Sequence, residues 1–161
     1  MMERKIPLKR SEDYYIKVVL RETKLKDVMT APAVTVPVEA HFKEVPRLFQ
    51  QHNIRHLPVV GGPGRLVGLI SQRDLFRMCP PHRNEEGEYV YDDHALEGII
   101  LRHVMVQEPF FMYEDDCMGE ATVRIVERKC GCIPVVNKDM QVQGIVTQED
   151  ILRIAAQIYL E

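Results

Sequence analysis

The stretch VGLISQRDL at residues 67–75 ends an apolar run with Ser-x-x-Asp, and QGIVTQEDI at residues 143–151 repeats the arrangement near the other end of the chain. Ser or Thr at an N-cap with an acid three residues later is the pattern of a capping box, although Glu is the usual acid. A helix start also presents free N–H groups and the positive end of the helix dipole, both suited to oxygen-rich ligands. Ser71 with Asp74, and Thr147 with Asp150, therefore read as helix caps, as ligand hooks, or as both.

Working outward, the two stretches belong to a gapless internal repeat. Met29 and Met105, Pro58 and Pro134, Gly68 and Gly144, and Asp74 and Asp150 all stand 76 residues apart. Both halves carry the same string of elements. PAVTVPV (32–38) and PFFMY (109–113) are β-rich segments after a turn. HFKEVPRLFQQH and CMGEATVRIVERK follow, with Val45, Leu48 and Phe49, and Ala121, Ile125 and Val126, at helical spacing. HLPVV and CIPVV predict a second strand, GGPG and NKDM a turn, RLVGLI and QVQGIV a third strand, and Ser71 or Thr147 opens a last helix. Pro46 costs up to about 3 kcal/mol inside a helix unless it lies in the first turn, so that helix should start late or kink.

A unit of about 50 residues with three strands buries too little apolar surface to stand alone, and two copies packed sheet to sheet solve this. The expected organisation is a helical extension (1–24), a first repeat (25–79), a connector (80–100) and a second repeat with a C-terminal helix (101–161). Tyr14, Val18 and Val19 offer one face of the extension. A short helix is expected near residues 94–101, and Ile154, Ile158 and Leu160 are available to a partner or to the N-terminal helix.

With 161 residues, 45% of them hydrophobic, the composition is that of a globular protein. A net charge of -3 and a pI near 6.1 provide no general basic field, which disfavours nucleic acid as a partner. No apolar run approaches the roughly 18 residues of a membrane span, and MMERKIPLKRSEDYY lacks a signal-peptide core. A cytoplasmic protein with four reduced cysteines is expected. Cys130 and Cys132 with Cys117 lack the second paired set of a zinc site, GGPG is not followed by Gly-Lys-Ser/Thr, and no histidine sits in His-Glu-x-x-His. No catalytic residue and no metal site is assigned.

A VMT or VMV lead-in, a strand, a helix, an apolar residue before Pro-Val-Val, a turn, and Gly with two apolar residues before [ST]-x-x-D, all present twice, resemble a tandem pair of cystathionine-β-synthase (CBS) domains, a Bateman module. The resemblance spans roughly residues 25–155. It implies an α/β (α+β) fold of two β-α-β-β-α repeats, packed sheet to sheet with pseudo-twofold symmetry and with two clefts between them. Members commonly bind AMP, ADP, ATP or S-adenosylmethionine there, often dimerise, and generally regulate rather than catalyse. The implied function is a stand-alone adenosine-ligand-binding regulatory module, homodimeric, with no required cofactor and an unidentified regulated protein as partner. The alternative is a ligand-free dimerisation or scaffold module.

In such modules each cleft combines the [ST]-x-x-D of one repeat with the first strand and the pre-Pro-Val-Val residues of the other. Cleft A would then join Thr147 and Asp150 to Thr30, Val34, Thr35, Ile54, Arg55, His56 and Pro58. Cleft B would join Ser71, Arg73 and Asp74 to Val106, Phe110, Phe111, Cys130, Gly131, Cys132 and Pro134. Either Asp can accept from both hydroxyls of a ribose, and Arg55, joined by a protonated His56, suits phosphate; both residues also read as solvated side chains at a strand start. CGCIPVV supplies no cation where IRHLPVV does, although Arg73 could. Cleft B is thus expected to be tighter and more apolar, and cleft A to be the better site for an AMP-like ligand.

Overall fold

The computed structural model describes residues 10–160, with side chains described from residue 14 onward. Two helices, α1 (Arg10–Glu22) and the single turn α2 (Leu25–Val28), precede β1 (Val36–Pro37), α3 (Glu44–His52), β2 (His56–Gly61), β3 (Arg65–Ser71) and α4 (Gln72–Met78). The connector holds a small hairpin, β4 (His82–Arg83) and β5 (Tyr89–Val90), then α5 (Asp93–Glu97). The second half repeats the first as α6 (Leu101–Val104), β6 (Val106–Gln107), β7 (Met112–Tyr113), α7 (Met118–Arg128), β8 (Cys132–Val136), β9 (Val142–Thr147) and α8 (Gln148–Leu160). The first strand of each half is only two residues long, shorter than its β-rich sequence suggests.

β1 runs parallel to β2, which pairs antiparallel with β3 from His56 opposite Ser71 to Gly61 opposite Arg65. β7, β8 and β9 reproduce this, and the register slips after Val59 in one half and after Val135 in the other, the same place in the repeat. Pro46 lies in the first turn of α3, where no intrahelical donor is lost, because the helix starts late, at Glu44.

The halves exchange their lead-ins. Leu25 and Met29 pack with Met112, Met118, Ile125 and Ile133 of the second half, while Leu101 and Met105 pack with Val36, Phe49, Leu57 and Ile70 of the first. The backbone follows: β6 pairs with β3, and Thr30 exchanges both backbone hydrogen bonds with Ile145 of β9 at 2.9 and 3.0 Å. Burial of a Leu such as Leu25 or Leu101 contributes about 1.5–3 kcal/mol, so each half depends on the other for part of its core.

The exchange explains the repeated Met and Gly. A Cβ on Gly68 would overlap the Met105 thioether, and one on Gly144 would overlap that of Met29. A bare backbone at these two positions lets each lead-in lie flat on the other half's third strand.

The N-terminal helix packs on α7 through Leu20, which lies against Gly119 and joins the second half's core. Of the face expected from Tyr14, Val18 and Val19, Tyr14 and Val18 are exposed and Val19 is partly buried. In the tail, Ile154 packs on the same core, whereas Leu160 is exposed. No helix among the described residues is long and apolar enough to cross a membrane.

Candidate functional site

Each third strand ends on a capping box. Ser71 Oγ accepts from Asp74 N at 3.2 Å, and Asp74 Oδ2 accepts from Ser71 N at 3.0 Å and from Ser71 Oγ at 2.5 Å. Thr147 and Asp150 repeat this, with Asp150 Oδ2 accepting from Thr147 N at 2.8 Å and from Thr147 Oγ1 at 2.7 Å, and Asp150 N donating to Thr147 Oγ1 at 3.4 Å. One oxygen of each carboxylate is therefore committed to the helix start. The other oxygen distinguishes the two clefts.

Asp150 is only 2% exposed, and its Oδ1 accepts from Thr30 Oγ1 at 3.1 Å and from Arg153 Nη1 at 3.5 Å. Asp74 is half-buried, and its Oδ1 has no partner among the described residues. Val106 occupies the lead-in position matching Thr30 and brings no hydroxyl.

Around Asp74 lies a cleft of about 630 Å³, within the usual range for small-molecule sites. Ser71, Gln72 and Arg73 meet Val106 and residues 129–132 there, with Arg55, His56, Leu69 and Phe76 completing the walls. Around Asp150 lies a cleft of about 300 Å³, lined by Thr30, Asn53, Ile54, Arg55, His56, Ile145, Thr147, Glu149 and Arg153 among others. The expectation for cleft B is corrected on both counts: it is the wider one, and it carries more positive charge. Arg55, Arg73 and Lys129 face the single carboxylate of Asp74, and none of the three touches a described carboxylate. In cleft A, Arg55 and Arg153 face Asp150 and Glu149, and Arg153 is already bonded to both, at 3.5 Å each.

His56 and Gly131 stand between the clefts and line both. A Cβ on Gly131 would come within 2.6 Å of His56 Nε2, so the imidazole lies against bare backbone. Burial first, and then Arg55 and Arg73, lower the His56 pKa below its ordinary value, with Asp74 opposing. A protonated His56 serving as a phosphate ligand is thus disfavoured in the free protein. Burial, aided by Cys130, pushes the Cys132 thiol up to about 12, so it stays protonated at neutral pH. Among the described residues no group of three or more His, Cys, Asp or Glu gathers as a metal site.

Of the residues assigned to cleft A, Thr30, Ile54, Arg55, His56, Thr147 and Asp150 come together, while Val34, Thr35 and Pro58 do not line it. Val34 packs on the first core, and Pro58 is buried in β2 opposite Leu69. Of those assigned to cleft B, Ser71, Arg73, Asp74, Val106, Cys130, Gly131 and Cys132 meet. Phe110 instead lies under the Arg128 guanidinium at 4.0 Å, Phe111 stacks edge-on with Tyr113, and Pro134 is buried in β8. Lys129, Arg153 and Gln148 were not foreseen. Lys129 ends α7 with φ 51°, a left-handed position that Asn53 also occupies at the end of α3, and Gln148 matches Gln72 across the repeat.

A family described as "CBS domain" matches residues 25–80 and 101–157, more than half of the chain. L-aspartate semialdehyde sulfurtransferase of Methanocaldococcus jannaschii is 28% identical over 132 residues, 82% of this chain but 23% of that protein. The CBS domain pair of protein MJ0100, solved with 5'-methylthioadenosine and S-adenosyl-L-methionine, superposes with a TM-score of 0.69 at 26% identity, covering 84% of this chain and 97% of that one. CBSX2, solved with AMP, superposes with a TM-score of 0.70 at 23% identity over 85% of this chain and 98% of that one, which shows the shared fold.

Proposed function

The chain belongs to the CBS domain family as a tandem pair of repeats, and on that premise we propose that it is a regulatory module that binds adenosine-containing ligands in the clefts between its halves. One observation carries the reading: Asp74, with one carboxylate oxygen uncommitted among the described residues, lines the same cleft as Arg55, Arg73 and Lys129, three cations without an ion-pair partner among those residues. A carboxylate accepts from ribose hydroxyls, and cations hold phosphate through charge-assisted hydrogen bonds. The relative with 5'-methylthioadenosine and S-adenosyl-L-methionine bound supports the same ligand class. Cleft B is accordingly the preferred phosphate-bearing site, in place of cleft A.

Regulation follows from where the walls come from. Ser71 and Asp74 belong to the first half and residues 129–132 to the second, so a ligand touching both favours the arrangement in which they are closest. Differential affinity for that arrangement is what a partner protein would read. The reading includes a homodimer, supported by Val123 and Val126 on α7 and Leu152 on α8, which are large apolar side chains exposed on helices, and a cytoplasmic location, supported by four unpaired thiols.

Calorimetry with AMP, ATP and S-adenosylmethionine tests the reading. Binding by the wild type that weakens ten- to a hundredfold or more in Asp74→Asn is expected, since charge-assisted bonds contribute roughly 1.5–3 kcal/mol each. The second reading, a ligand-free dimerisation or scaffold module, draws on capping boxes that are complete without any ligand. No heat with any of the three ligands, together with a stable dimer by sedimentation, favours that reading instead.

A further inference from the structure

The two clefts share one cation. Arg55 lines both, and its backbone is pinned between them: Asn53 ends α3 in a left-handed turn, and the Arg55 carbonyl accepts from Gln72 N at 2.9 Å. The exposed side chain has no ion-pair partner among the described residues. His56, Gly131 and Gln148 line both clefts with it, and the His56 imidazole lies against the Gly131 backbone. In cleft A the other cation, Arg153, is held by Asp150 and Glu149, which leaves Arg55 as the guanidinium there that a ligand could recruit. In cleft B, Arg73 and Lys129 stand beside it.

We propose that Arg55 is a shared specificity residue that lets the module hold one phosphate-bearing adenosine ligand at a time, in cleft B, and leaves cleft A to an adenosine ligand without phosphate. With an anion in cleft B, Arg55 is drawn toward it. Cleft A then presents Asp150 and Glu149 against the single guanidinium of Arg153 already bound to both, a set left with net negative charge that disfavours a further anion and tolerates a neutral or cationic substituent. The repeat itself marks the position responsible: Arg73 of the first half corresponds to Glu149 of the second, a reversal of charge at one site in otherwise matching helix starts.

This rests on the adenosine-ligand reading above, and AMP and adenosine are the probes. Calorimetry of the wild type should give one AMP per chain, with adenosine still binding to the AMP-saturated protein. Arg55→Ala should lower AMP affinity at least tenfold more than adenosine affinity. Glu149→Arg, at a side chain 84% exposed, should create a second AMP site. Two equivalent AMP sites in the wild type, or an AMP affinity indifferent to Arg55→Ala, overturns the proposal while leaving the adenosine-binding reading intact. Adenosine that merely displaces AMP from a single site also overturns it. Failure of both probes to bind removes the underlying reading and the proposal with it.

Discussion

Thr30 Oγ1 donates to Asp150 Oδ1 across 3.1 Å, from a lead-in that belongs to the other half of the repeat. The corresponding lead-in residue, Val106, has no hydroxyl to donate, and the Oδ1 of Asp74, a residue that lines its cleft, has no partner among the described residues. Two helix starts of the same design thereby become one closed and one open carboxylate.

Exchanging those two lead-in residues should exchange the behaviour. Thr30→Val removes a charge-assisted donor from the almost fully buried Asp150 and should cost about 1–3 kcal/mol in urea unfolding. Val106→Thr brings a hydroxyl to Asp74 and should weaken AMP binding with little change in stability. A Thr30→Val protein as stable as wild type contradicts the assignment.

Lys129 should separate stability from binding. It holds a left-handed conformation at the end of α7, with φ 51°, where glycine carries no Cβ penalty. Lys129→Gly is expected to raise stability by about 0.5–1 kcal/mol while weakening AMP binding through loss of a cation. The two effects are read by urea unfolding and by calorimetry on the same variant.

The Met-on-Gly contacts predict a coupled pair. Gly68→Ala should cost about 1–3 kcal/mol by overpacking against Met105, and Met105→Ala should relieve that clash at the expense of a buried side chain. A double-mutant cycle should therefore show a favourable coupling larger than about 0.5 kcal/mol, and the same is expected of Gly144 with Met29. Additive effects would mean the lead-in is not seated on the strand as described.

His56 predicts a pH dependence with a definite sign. Its folded pKa lies below the ordinary 6.5 because burial, Arg55 and Arg73 disfavour the charged ring, while Asp74 opposes them. The unfolded chain then binds more protons in the window beneath that value. Stability is full above the unfolded pKa and declines as pH falls through 6.5 toward the lowered folded value. His56→Gln should flatten this part of the profile in urea unfolding at several pH values. A phosphate that offsets Arg55 and Arg73 should also draw a proton onto His56, so AMP affinity should rise as pH falls.

The repeat was legible because its markers are backbone-dictated. Gly68 and Gly144 admit a neighbour that no side chain would allow, Pro58 and Pro134 sit at one register position in paired strands, and Ser71 and Thr147 close a helix start. Such constraints act locally and survive duplication, and so they recur at a fixed offset. Cleft membership was legible only where it follows these markers. Phe110 and Phe111 have the composition of a purine wall, but Phe110 is taken by Arg128 and the second core, which no local pattern announces.

Legible along the chain were two copies of one β-α-β-β-α unit, their element order, a late start or a kink in α3 imposed by Pro46, and the two Asp positions at the ends of the third strands. Only the tertiary structure decided which half's lead-in completes which core, that Thr30 closes Asp150 while Asp74 stays open, and that Lys129, Arg73 and Arg55 converge on one cleft. The reason is physical. Hydrophobic period and capping act over a few residues and are written along the chain, whereas the partner of a carboxylate or the sharing of a guanidinium depends on groups brought together only when the halves exchange segments.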